Sequence, residues 1–140
     1  MPFPYAGNSA HPLKRDIVPD REQAAQLAVL GSFRGLAAGW DSYRAATPSD
    51  AAIENARRIL DVLWESEAGE GVRLSPSVEG GVSIVFKAPD KRYADIECFN
   101  DGEVLAITSD PASDPVVWPV DLATGELRDT IVRISTFLNG

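Results

Sequence analysis

Residues 82–107, VSIVFKAPDKRYADIECFNDGEVLAI, carry the pattern that decides the fold class. Apolar residues recur here at a period of two, the side-chain repeat of a β-strand. Val82, Ile84 and Phe86 share one face, with Ser83, Val85 and Lys87 on the other. Ala94, Ile96 and Cys98 then alternate with Tyr93, Asp95, Glu97 and Phe99, and a further apolar run follows at 104–107. Asn100-Asp101-Gly102 between them is a strong hairpin signal, because these residues tolerate the positive φ of a tight turn. Pro89-Asp90-Lys91 and, just upstream, Glu79-Gly80-Gly81 are two more turns. Strands joined this closely pair antiparallel, since a parallel crossover needs about a dozen residues.

Helical signals flank this meander. Upstream, Thr47 can cap a helix, with Pro48 at its first position and Asp50 at its third. Ile53, Ala56, Leu60, Leu63 and Trp64 follow at helical spacing, opposite Glu54, Arg57, Arg58 and Asp61, until Gly69 and Gly71 stop the run. A weaker helix is expected from Asp20, with Gln23 as its box partner and Ala24, Leu27, Leu30 and Phe33 on its apolar side. Downstream, residues 110–115 read as a turn-rich loop and 116–118 as a short strand, at an edge because Pro119 lacks a ladder donor. Leu127, Ile131, Ile134 and Leu138 define a closing helix over about 124–139. The expected fold is α+β: an antiparallel meander of about four to five strands packed on N-terminal and C-terminal helices. Residues 1–16, rich in Pro, Gly and Asn, read as a loosely ordered arm, and 17–140 as one domain.

The chain of 140 residues is 44% hydrophobic and 24% charged, with a formal net charge of −8. Direct nucleic-acid binding is disfavoured by that sign, because counterion release needs clustered Lys and Arg. Docking on an anionic membrane is disfavoured for the same reason, and no apolar run is long enough to span one. Cys98 is the only cysteine. That excludes an intrachain disulfide or a cysteine-cluster metal site, so a reducing, cytoplasmic location is expected.

Catalytic signals are sparse. His11 is the sole histidine and lies in the arm, without the third group that an acid–base constellation requires. Cys98 falls on the apolar strand face, where a buried thiol is inert. Asp95 and Glu97 stand two apart on one strand side, a spacing compatible with acid–base work, but also with a solvated sheet face. The glycine pairs are not followed by the Lys and helix of a phosphate-binding loop. No cofactor is expected.

Two features point to a partner. Between Arg92 and Arg128 there is no Lys or Arg, while Asp95, Glu97, Asp101, Glu103, Asp110, Asp114, Asp121 and Glu126 all fall there. Such a half-domain can steer a basic protein partner, although acids on strands and turns also protect sheet edges. The run Gly39-Trp40-Asp41-Ser42-Tyr43-Arg44 concentrates residue types enriched at binding hot spots. Alternatively, Trp40 plugs the helix–sheet core while Asp41 bonds loop amides.

GWDSYRAATPSDAAIENARRIL followed by LSPSVEGGVSIVF resembles a set of small, uncharacterised bacterial and phage proteins. Those share a Gly-Trp-Asp-Gly-Tyr-like loop, a helix and a Pro-x-Val-x-x-x-Gly-Gly turn into a strand. The resemblance covers roughly residues 36–108 and departs at Ser42, where the group often has glycine. It implies the fold and, because some members sit beside toxin–antitoxin or phage-defence genes, a setting. The sequence thus leads to the expectation of an acidic protein-binding module, inhibitor- or antitoxin-like, using Asp95, Glu97, Asp101 and Glu103 with Trp40, Asp41 and Tyr43. A carboxylate- or metal-dependent hydrolase using Asp95, Glu97 or Asp41 is one alternative. A homo-oligomeric module pairing through residues 116–120 is another.

Overall fold

The computed structural model describes the backbone of residues 10–42 and 44–140, and side chains from residue 21 onward within that range. Tyr43 and the first nine residues of the expected arm lie outside the described residues. The elements run α1 (Ala10–Ser32), a 3₁₀ turn (Phe33–Gly35), α2 (Asp50–Glu65), β1 (Arg73–Ser77), β2 (Gly81–Val85), β3 (Tyr93–Phe99), β4 (Val104–Asp110), β5 (Ser113–Pro119) and α3 (Glu126–Asn139). The strands form one antiparallel sheet in the order β1-β2-β3-β4-β5. The α+β meander read from the alternation is the observed fold.

Several boundaries differ from the sequence reading. Helix α1 starts at Ala10 instead of Asp20. Pro12 falls in its first turn, where the missing N–H has no intrahelical acceptor to lose. Leu27, Leu30 and, in the 3₁₀ turn, Phe33 pack against the core as expected and Gln26 is buried beside them, whereas Ala24 is exposed. The α2 cap is Ser49, whose hydroxyl accepts from the Ala52 amide. Thr47 instead donates to the Leu36 carbonyl at 2.7 Å. The expected loop at 110–115 is a hairpin, because Asp110 accepts from the Ala112 amide and so turns the chain directly into a seven-residue β5.

Helix α2 buries Ala52, Ile53, Ala56, Ile59, Leu60 and Leu63, the stripe its spacing predicts plus Ile59. It lies over β2 and β3, α3 over β3 and β4, and α1 against α2 and β1. The core they enclose takes the even-numbered strand residues Val82, Ile84, Ala94, Ile96, Cys98, Val104 and Ala106. Full burial of each Leu or Ile contributes about 1.5–3 kcal/mol, which makes this layer the main source of stability. The Cys98 thiol sits within it, its pKa pushed up to about 12 by burial and then by the Glu97 charge.

Three polar anchors join the layers. Gln26 donates from Nε2 to the Gly69 and Val72 carbonyls, both at 3.0 Å, and accepts from Trp64 Nε1 at 2.8 Å. Asn100 accepts from the Ser49 amide at 2.7 Å and donates to the Thr47 carbonyl at 3.2 Å, tying the α2 cap to the β3–β4 turn. Gly81 has φ +140°, and a Cβ there would stand 2.0 Å from the Cys98 carbonyl oxygen. Only glycine lets β2 enter the sheet at this register.

Both sheet edges are interrupted. The Val120 amide bonds the Val104 carbonyl, so over residues 116–119 of β5, before the register shifts at Thr108/Asp110, the even-numbered amides point to β4 and the odd-numbered ones outward. Pro119 occupies an outward position, which leaves Val117 the outward donor of that stretch, and Pro115 falls where the register shifts. On β1, Ser77, Ser75 and Arg73 face β2 by the same logic, and the outward position opposite Val82 is Pro76.

Candidate binding face

The odd-numbered strand residues form a second sheet surface, and none of them belongs to the hydrophobic core or to the apolar side chains packed against it. Pairing fixes its rows. One runs Arg73, Val85, Asp95, Ile107, Val117; the next runs Ser75, Ser83, Glu97, Leu105, Pro119. Both put a carboxylate on the central strand, Asp95 between Val85 and Ile107 and Glu97 between Ser83 and Leu105. Val85, Leu105 and Ile107 are half-buried, while Val117 is 53% and Tyr93 41% exposed.

Asp95 and Glu97 come together at the centre of this face, as their spacing of two implies. They are not the solvated pair expected of an outer sheet surface. Asp95 is only 3% exposed, because its short side chain stands between Val85 and Ile107, with Tyr93 next to it on the same face. The Tyr93 hydroxyl donates to Asp95 Oδ2. Glu97 accepts from the Ser83 hydroxyl at Oε2 and from the Ser77 hydroxyl at Oε1, the latter at 3.3 Å. Asp95 Oδ1 is buried and has no hydrogen-bond partner.

The electrostatics follow from that geometry. Burial, reinforced by the neighbouring Glu97 charge and opposed by the Tyr93 hydrogen bond, pushes Asp95 up to about 7. A carboxyl proton on Asp95 can bond the Glu97 carboxylate, which relieves the repulsion between them. Burial and then the Asp95 carboxylate hold the Tyr93 phenol well above its ordinary value, so it stays a donor. The ion pairs among the described residues lie elsewhere: Arg34–Asp50, Arg57 with Glu54 and Asp61, Arg92–Asp90, and Arg128–Glu65.

The other expected site residues occupy separate places. Asp101 accepts from the Glu103 amide and shapes the β3–β4 turn, where both are exposed. Asp121 and Glu126 lie near that end, with Glu103, around a groove beside Asn55, where each also accepts a backbone amide. Asp110 and Asp114 sit at the opposite end of β4. The acid-rich segment therefore makes three groups of carboxylates, not one continuous surface.

The Trp40 loop closes on itself. Trp40 Nε1 donates to the Ala46 carbonyl at 3.0 Å, Asp41 Oδ1 accepts from the Ala45 amide at 3.1 Å, and the Gly39 amide bonds the Ala45 carbonyl. Asp41 bonds loop amides as expected, but half-buried Trp40 stands outside the core instead of plugging it. Ser42 has φ +70°, which is the physical reason that glycine suits this position.

Ser77 and Ser83 complete the Glu97 environment and were missed from sequence. Their odd numbering was the available signal, but choosing them required the strand register. Among the described residues no group of three or more His, Cys, Asp or Glu side chains could hold a metal ion, and no helix is long and apolar enough to cross a membrane. Comparison with protein-family models, curated proteins and solved structures finds no match to this chain.

Proposed function

We propose that this chain is a protein-binding module that holds its partner against the odd-numbered face of its sheet. The observation that supports this most is the arrangement on that face: Val85, Leu105 and Ile107 flank Asp95 and Glu97, Val117 lies beyond Ile107, and the core layer takes none of them. Apolar side chains around desolvated polar groups are the make-up of an interface centre. Prolines on both outer strands disfavour recruitment by strand addition, which leaves the face as the better route. An inhibitor- or antitoxin-like role in a prokaryotic defence, phage or toxin–antitoxin system is the specific form we favour, with a basic partner surface suited to the acidic chain.

Capture of the partner from the source organism, followed by titration of variants, tests this. Leu105→Lys with Ile107→Lys lowers affinity at least about tenfold, since each buries a charge at the interface centre. Asp101→Lys with Glu103→Lys, at the turn, has little effect. The opposite pattern moves recognition to the acidic turn, and full retention by both variants rules out both surfaces.

A further inference from the structure

We draw no further inference here: the strongest candidate, the groove between α3 and β5 where Arg133 lies over the Trp118 ring and Val116 is exposed, mixes Glu126 and Asp129 with Arg133 on its rim, and nothing in the structure shows what covers it.

Discussion

Asp95 makes the single-residue energetics of this protein depend on pH. In the folded state it keeps its proton up to about pH 7, while in an unfolded chain an aspartate ionises near about 3.9. The folded state gains from this below about pH 4, and the gain is lost as pH rises toward 7. Wild type should therefore lose about 2 kcal/mol of stability between pH 5 and pH 8, and Asp95→Asn should not, so the variant is the more stable at pH 8. Urea midpoints at the two pH values measure this; parallel curves for the two proteins contradict it. Gln26→Ala strips donors from two carbonyls and the acceptor from the Trp64 indole, and should cost about 3 kcal/mol in the same assay. Ser42→Gly relieves a left-handed backbone and should add about 0.5–1 kcal/mol.

At the scale of elements, what could be read from sequence was whatever its own neighbours determine. Helix α2 and strands β2 to β4 were legible because each carries a clean period. Strand β1 escaped notice because Ser75, Pro76 and Ser77 give no alternation, and its strand state comes from pairing with β2. The full length of β5 was obscured by Pro115, which reads as a breaker until the edge strand accommodates it at a register irregularity. The site was legible in part: the spacing of Asp95 and Glu97 put them on one side, but the burial of Asp95 depends on Val85 and Ile107 arriving from neighbouring strands. The edge prolines carry their own expected outcome. Pro76→Thr with Pro119→Thr restores an outward donor on each edge strand and should produce concentration-dependent dimers by light scattering where wild type gives fewer or none.

For the whole molecule, the net charge of −8 matters less than where the carboxylates stand. Those at the two ends of the sheet shape turns and keep the surface hydrated, while Asp95 and Glu97 sit among apolar walls. Exposed charges are screened beyond about 10 Å at 0.1 M salt, but a buried pair is not. Partner affinity should thus change only weakly between low and moderate salt, and a steep decline would point to the turn carboxylates instead. Cys98, the single thiol, has a practical consequence at this scale. Sealed between sheet and helices, it meets a water-soluble disulfide reagent only when the layers separate, so its labelling rate in native buffer works as a clock for opening of the interior. No reporter has to be engineered into the chain to read that clock.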